Sequence, residues 1–192
     1  MTGVNTNKIY IIEGQDRCGK TSLTNMLRSR IKNPKVVTIH SSKPPIGVDV
    51  VEWTLEYYNN LINTAQNLWS QGFDVILDRA WLGEVVYGPL YRNTKITLAD
   101  LEAPLKYTSN PEAFELLVLT DDAVSIAGRA DGLSISDDVD FLRLEEKYFK
   151  AAYEDTTLVN KRYVNWGDVA KYSSTMISQL IDDLMGVENV KC

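Results

Sequence analysis

The chain contains few of the residues on which disulfide frameworks and metal centres are built. Its 192 residues include two cysteines, Cys18 and Cys192, and one histidine, His40. Two cysteines this far apart make neither a disulfide framework nor a metal-ligand spacing. This scarcity is typical of proteins that live in a reducing cytosol, so we predict a cytoplasmic location.

A surplus of positive charge is also missing. Lys and Arg number 20 against 26 Asp and Glu, which gives a net charge of −6, and the cations form no basic stripe. Proteins that bind DNA usually present a basic face, because their affinity comes from neutralising phosphates. We therefore expect no nucleic-acid partner, and we favour a small anionic substrate held by a few local cations.

Long apolar runs are absent too. The first residues, MTGVNTNK, do not form the apolar core of a signal peptide, and no window is apolar enough to span a bilayer. We expect no membrane partner. The length is that of one domain, so we expect residues 1–192 to form a single domain.

Short apolar runs alternate with helical patterns, which is the signature of an α/β fold with a doubly wound, five-stranded parallel sheet. Strands are predicted at 8–13, 35–40, 73–77, 113–120 and 162–166, and main helices at 21–31, 51–69, 139–153 and 168–185. One or two shorter helices are expected within 80–108, and a polar, irregular stretch within 123–138. Ligands of such sheets sit beyond the carboxyl ends of the strands.

A phosphate-binding loop follows the first strand. The segment GQDRCGKT matches G-x-x-x-x-G-K-[ST] in full. The glycines let backbone N–H groups turn towards phosphate oxygens, and the next helix adds its positive N-terminus. Lys20 is expected to reach the β and γ phosphates, and the Thr21 hydroxyl to bind magnesium. The residues predicted to contact ATP phosphates are Gly14, Gln15, Asp16, Arg17, Cys18, Gly19, Lys20, Thr21 and Ser22.

The interior of this loop carries an unusual pair of charges, Asp16 and Arg17. An arginine here can offset the charge that spreads over a phosphoryl group during transfer. Asp16 would face the acceptor and accept a hydrogen bond from a sugar hydroxyl. The alternative is that both side chains are solvated loop charges.

The segment IIEGQDRCGKTSL resembles the start of the thymidylate kinases, and Asp-Arg before x-Gly-Lys is the pattern of their eukaryotic-type subgroup. The resemblance implies that Arg17 is catalytic and that Asp16 contacts the 3′-hydroxyl of a deoxynucleotide. It also implies a nucleoside monophosphate kinase fold with a lid, ATP as the phosphoryl donor, Mg2+ and, by analogy, a homodimer.

A second signature of the same family is Asp78-Arg79, at the end of a buried strand. The resemblance implies that Arg79 clamps the acceptor phosphate and that Asp78 helps to organise magnesium and the reacting phosphates. The planar fork of an arginine grips phosphate with two hydrogen bonds, which suits the first role. The alternative for Asp78 is a structural ion pair with another basic residue.

The stretch DRAWLGEVVYGPLYR, residues 78–92, resembles thymidylate-kinase-like proteins encoded by bacteriophages, which would place the protein in a host cytoplasm. We predict that Glu84, Tyr87 and Arg92 line the acceptor pocket. The alternatives are a helix cap for Glu84, a core aromatic residue for Tyr87 and a solvated cation for Arg92.

The loop SSKPP after the second strand offers Lys43 as a further cation for the acceptor phosphate. His40, just before this loop, is interpreted as a loop or core residue, because no carboxylate or cysteine pattern marks it as a ligand or a base.

Base recognition in the family comes from the long helix, here at positions near Thr54 and Tyr58. The base-reading pair of the family is not present, since a tyrosine cannot replace an arginine. We predict an aromatic pocket formed by the neighbouring Trp53 and Tyr57.

The segment 123–138 resembles the lid of thymidylate kinases in its position before a helix. Arg129 is expected to cover the nucleotide donor when the lid closes, with Gly128 and Gly132 easing the movement. The alternative is a solvated charge on a loop.

The sequence thus predicts transfer of the ATP γ-phosphoryl group to a deoxynucleoside monophosphate, with dTMP or a 5-modified dUMP favoured. One alternative is a hydroxyl acceptor on a nucleoside or on a modified base in phage DNA, with Asp78 or Glu84 as the base. A second is a non-enzymatic nucleotide switch, although 160–163 (NKRY) lacks the Asp of the guanine-reading N-K-x-D motif.

Overall fold

The computed structural model describes residues 7–129, 135–166 and 174–186. Five parallel strands form one sheet in the order β2-β3-β1-β4-β5, which confirms the predicted fold class. The strands are β1 (Ile9–Gly14), β2 (Val36–His40), β3 (Asp74–Asp78), β4 (Phe114–Thr120) and β5 (Asn160–Asn165). The helices are α1 (Lys20–Arg30), α2 (Val50–Ser70), α3 (Leu82–Tyr87), α4 (Leu98–Leu101), α5 (Ala123–Ala127), α6 (Val139–Asp155) and α7 (Ser174–Leu184).

The sheet is buried on both faces, and its central strand β1 is buried at all six positions. One apolar cluster packs α2, α3 and the middle of α6 on one face. A second cluster packs α1 and α7 on the other face. This sandwich leaves the carboxyl edge of the sheet for the loops that carry charged residues. None of the helices within the described ranges is long and apolar enough to cross a bilayer.

The structure contradicts one prediction about helices and does not describe the residues of another. The stretch from 123 was expected to be irregular, but α5 forms there, because the Asp122 carboxylate accepts a hydrogen bond from the Ser125 N–H (2.9 Å) and Ile126 is buried. The predicted start of the last helix at Asp168 lies outside the described residues.

Between α3 and α4 the chain forms a π-helical turn, Gly88–Arg92, which places Arg92 back towards α3.

A buried carboxylate holds α4 against the end of α6. Glu102 accepts hydrogen bonds from the Trp81 indole (3.0 Å), from the Thr156 hydroxyl, and from the N–H and hydroxyl of Thr157 (2.8 and 2.7 Å). Both carboxylate oxygens therefore have donors, which a buried charge requires. This cluster keeps the segment after β3 in place.

Replacing Glu102 by alanine should lower the free energy of unfolding by about 3 kcal/mol, because it leaves several buried donors without an acceptor. Urea unfolding followed by circular dichroism measures the loss. Glu112→Ala, at an exposed carboxylate, is the matched control and should change stability little. A loss below about 1 kcal/mol for Glu102→Ala would mean that water replaces the carboxylate.

Candidate active site

The phosphate-binding loop connects β1 to α1 at the carboxyl edge of the sheet. Gly14 has φ 131°, and a Cβ at this position would collide with the carbonyl of Leu119 on β4. Gly19 has φ 77° immediately before α1. Both glycines are therefore required by the backbone path, as the motif predicts.

Lys20 lies buried at the start of α1, and its ammonium donates to the carbonyl of Gln15 across the loop. Burial, followed by the nearby Arg79 guanidinium, lowers the pKa of Lys20 to about 8. A phosphate in the loop would offset this desolvation, because it supplies negative charge beside the ammonium.

The loop is fixed from behind by Gln15 and Cys18. The buried Gln15 amide donates to the carbonyl of Leu142 (2.8 Å) and accepts from the N–H of Asp121 (3.2 Å). The indole of Trp166 donates to the Cys18 carbonyl (3.1 Å). Neither side chain lines the phosphate groove, so of these two residues only backbone N–H groups are available to a phosphate.

Arg17 has φ 64°, a left-handed conformation that directs its side chain to the segment before α6. The guanidinium donates to the Ser136 carbonyl (3.1 Å) and pairs with Asp137 (2.7 Å). Its Nε and one terminal nitrogen are buried and have no partner among the described residues. Arg17 therefore retains donors that a phosphoryl group could use.

Arg79 follows β3 with φ 69° and forms an ion pair with Asp16 of the phosphate loop. Burial acts against ionisation of Asp16, but the Arg79 and Lys20 charges outweigh it and lower the pKa of this carboxyl. The two charged pairs that the sequence places after β1 and after β3 thus meet in space.

A groove beside the loop is lined by Lys20, Thr21, Ser22, Asp78 and His40, among others. The Thr21 hydroxyl and the Asp78 carboxylate are hard oxygen donors of the kind that Mg2+ takes. Among the described residues no group of three His, Cys, Asp or Glu side chains could hold a metal alone. A Mg2+ ion held by Thr21 and Asp78 would take its remaining ligands from water and substrate phosphates.

The core interpretation of His40 is wrong. Its side chain is 68% exposed, and its Nδ1 lies 2.9 Å from the Asp78 carboxylate. The two residues are register partners on β2 and β3, although 38 positions separate them in sequence. A sequence pattern within one strand carries no signal for such a pair.

A cavity of about 380 Å³ opens next to the groove. Seven of the eight predicted acceptor residues line it: Asp16, Lys43, Trp53, Arg79, Glu84, Tyr87 and Arg92. The exception is Tyr57, which stacks on Trp53 (ring centroids 4.6 Å apart) and accepts a hydrogen bond from the Ser42 N–H (2.9 Å). Tyr57 therefore supports the cavity wall from behind, and Tyr58, one position on, lines the cavity in its place.

Glu13 also lines the cavity, and the sequence reasoning missed it. It is the only charged residue in the apolar strand IYIIEG, and that contrast is the signal that could have identified it. Its carboxylate accepts from the N–H groups of Ala80 (2.7 Å) and Gly83 (3.2 Å), which joins β1 to the start of α3. Burial raises the pKa of Glu13.

Glu84 and Arg92 form an ion pair (2.5 Å) at the cavity wall. Glu84 is buried on α3, so it is not a cap, and Arg92 is partly buried rather than solvated. Burial raises the pKa of Glu84, while Arg92 opposes the shift. Tyr87 is buried too, with its ring against Phe149 (centroids 5.7 Å apart), and it contributes both to the core and to the cavity.

Only part of the predicted lid segment, 123–138, lies within the described residues. Arg129 pairs with Asp121 (2.5 Å) at the end of β4, and Ile135 lines the acceptor cavity. The expected hinge residue Gly132 lies outside the described residues. Covering of the donor nucleotide by Arg129 remains a prediction.

Comparisons with known proteins place the fold. No family model matches the chain, and no curated protein does. A thymidylate kinase from Candida albicans is 19% identical with a TM-score of 0.64 (94% of this chain, 92% of that one). A thymidylate kinase from Ehrlichia chaffeensis is 16% identical with a TM-score of 0.62 (94% and 98%). The YorR protein of Bacillus subtilis, solved with phosphorylated GDP, is 19% identical with a TM-score of 0.62 (93% and 94%). The chain has the fold of the thymidylate kinases and related P-loop kinases.

Proposed function

We propose that the protein transfers the γ-phosphoryl group of ATP to a deoxynucleoside monophosphate. One observation carries the proposal: the phosphate groove and the acceptor cavity share Arg17, Ser41 and Arg79 as common walls. A donor phosphate and an acceptor phosphate would therefore meet between two guanidinium groups, as phosphoryl transfer requires. The resemblance to thymidylate kinases favours dTMP or a 5-modified dUMP as the acceptor.

The similar structures support this proposal. Two of them are thymidylate kinases, and YorR was solved with phosphorylated GDP. Their chains match this one over more than nine tenths of its length.

The chemistry requires positioning more than proton transfer. An acceptor phosphate is already a nucleophile, so charge stabilisation carries the catalysis. Lys20 and Arg17 would hold the moving phosphoryl group, and Arg79 and Lys43 the acceptor phosphate. Thr21 and Asp78 would hold Mg2+, which neutralises phosphate charge when bound.

Two finer proposals come from the resemblance. A homodimer is one, and sedimentation velocity of the purified chain tests it. The other is that Arg129 covers the donor nucleotide, and its pairing with Asp121 leaves it at the carboxyl edge of the sheet, where a donor would bind. A cytoplasmic location is a third proposal, and it rests on the scarcity of cysteine.

Replacing Arg17 by alanine should lower kcat at least a hundredfold, about 3 kcal/mol, because charge on the transferring group loses a buried cation. Steady-state ADP release with saturating ATP and acceptor measures it. Arg28→Ala, at an exposed site on α1, is the control. An unchanged kcat would show that Arg17 is only a structural partner of Asp137.

Replacing Asp137 by asparagine should strengthen ATP binding severalfold. Asp137 is half exposed and competes with phosphate for Arg17, and breaking such a pair changes the free energy by about 1 kcal/mol. Titration calorimetry gives the Kd. Asp140→Asn, which breaks the exposed pair with Arg143, should leave it unchanged. Weaker binding in Asp137→Asn would mean that Arg17 stays with the lid segment when ATP binds.

An assay of ADP release from ATP tests the proposal as a whole. It compares deoxynucleoside monophosphates, nucleosides and duplex DNA as phosphoryl acceptors. We expect turnover with deoxynucleoside monophosphates, lost in Lys20→Met. Turnover only with nucleosides or DNA would move the acceptor to a hydroxyl, and ADP release without any acceptor would favour a nucleotide switch.

A further inference from the structure

Arg79, which would clamp the acceptor phosphate, has a backbone conformation that an arginine rarely adopts. Its φ of 69° lies in the left-handed region, where the Cβ crowds the following carbonyl oxygen. A residue other than glycine keeps such a conformation only where the surrounding structure fixes it. The contacts of the two peptide groups that flank Arg79 therefore decide where its guanidinium points.

The first of these peptide groups, between Asp78 and Arg79, is held by the sheet. Its carbonyl accepts a hydrogen bond from the Ser41 N–H (3.2 Å), which extends the pairing of β2 with β3 by one residue. Its N–H donates to the Ile12 carbonyl on β1 (3.0 Å). Both hydrogen bonds use backbone atoms alone, so they do not depend on the side chain at position 41.

The second peptide group, between Arg79 and Ala80, is held by two side chains. Its N–H donates to the Glu13 carboxylate of β1 (2.7 Å). Its carbonyl accepts from the hydroxyl of Ser41, which follows β2 directly (2.7 Å). Glu13 and Ser41 thus hold opposite ends of one peptide group, and this fixes the rotation of the Arg79 backbone.

The position of the Arg79 guanidinium depends on this rotation. If the second peptide group turned, the φ of Arg79 could return to the negative values that an arginine prefers, and its Cβ would point elsewhere. The guanidinium would then leave Asp16 and the wall that it forms between the phosphate groove and the acceptor cavity.

The other role open to Ser41 is direct contact with a phosphate, because Ser41 lines both the groove and the cavity. A serine hydroxyl has one hydrogen to donate, and here the Arg79 carbonyl accepts it. Ser41 therefore cannot donate to a phosphate oxygen without releasing Arg79.

We propose that Ser41 is a positioning residue whose hydroxyl keeps the Arg79 guanidinium in place for the acceptor phosphate. The identity of the bound phosphate rests on the proposed function, whereas the contact that holds Arg79 does not. The two residues are 38 positions apart in sequence, so no local motif predicts their contact.

Amide hydrogen exchange, followed for single residues by NMR, tests the role of Ser41 in the free protein. Ser41→Ala should speed the exchange of the Arg79 and Ala80 N–H groups at least tenfold, because the backbone around them is no longer fixed. The Val75 N–H, bonded to the Lys8 carbonyl (3.0 Å), should keep its rate. Unchanged rates at Arg79 and Ala80 would overturn the proposal.

Two variants serve as controls. Ser41→Thr retains the hydroxyl and should exchange like the wild type. Ser29→Ala removes another hydroxyl that donates to a carbonyl at 2.7 Å, at an exposed site on α1, and it should change neither exchange nor kinetics. Thermal unfolding checks that each variant folds. If Ser41→Ala does not, Ser41→Cys replaces it, since a thiol is a weaker donor and should speed the same two exchange rates.

Steady-state kinetics with ATP and Mg2+ tests the consequence for the acceptor. The acceptor is whichever of dTMP, dUMP, dCMP, dAMP and dGMP the wild type phosphorylates fastest. Ser41→Ala should lower its kcat/KM at least tenfold, change the KM for ATP less than threefold, and be largely rescued by Ser41→Thr.

A double variant shows whether Ser41 acts through Arg79. In an Arg79→Ala background, Ser41→Ala should cause no further loss of kcat/KM, because the guanidinium that it positions is already absent. A further tenfold loss in that background would overturn the proposal, since Ser41 would then contact the substrate itself.

The two experiments separate a failure of this inference from a failure of the proposed function. If the wild type phosphorylates none of the five nucleotides, the proposed function fails, and the exchange rates alone decide whether Ser41 holds Arg79. If the wild type is active and Ser41→Ala has the same kcat/KM, the proposed function stands and the positioning role is overturned.

Discussion

The arrangement of the candidate active site, at the carboxyl edge of the sheet, depends on an uncharged side chain, the buried amide of Gln15. Its nitrogen donates to the first turn of α6 and its oxygen accepts from the end of β4, so one side chain ties the phosphate loop to two other elements. Arg17, two residues later, reaches the segment before α6 only because that segment is fixed relative to the loop. The positions of the charged groups thus follow from an uncharged anchor, which needs no counter-ion to be stable in the interior.

Charge in the resting site is compensated locally. Each arginine of the edge pairs with a carboxylate: Arg17 with Asp137, Arg79 with Asp16, Arg92 with Glu84 and Arg129 with Asp121. An acidic chain can therefore present a phosphate-binding site without a basic surface. Under the proposed function, binding of phosphates would exchange carboxylate partners for phosphate partners, so the gain in binding free energy would be smaller than that of a free cation, and specificity would come from geometry.

Local patterns predicted what depends on neighbours in sequence. The strands, the long helix and the conformation of Gly14 and Gly19 follow from apolar spacing and from the loop motif. Such patterns do not predict which side chains meet between neighbouring strands. His40 meets Asp78 because β2 pairs with β3, and Glu13 reaches Ala80 because β1 lies on the other side of β3.

The acceptor side shows the same limit. Motifs that resemble those of the thymidylate kinases predicted most of the residues that line the cavity. The prediction of Tyr57 was wrong, because Tyr58 lines the cavity instead. Which tyrosine lines the cavity turns on the rotation of α2 about its own axis, which is set by packing against the sheet. Likewise, the short helix α5 depends on one cap and one buried isoleucine, and its five residues are too few for a helical spacing to reveal it.

The adjacency of Glu13 and Gly14 in one strand has an evolutionary consequence. A substitution of Glu13 removes the acceptor of the Ala80 and Gly83 N–H groups and changes the residue next to the glycine on which the phosphate loop turns. Glu84 and Arg92 lie instead on α3 and the turn after it, a segment that can change without moving the loop. Under the proposed function, descendants of this chain would therefore acquire new acceptors through the α3 segment, while the residue at the end of β1 stays constrained by its contacts beside the loop.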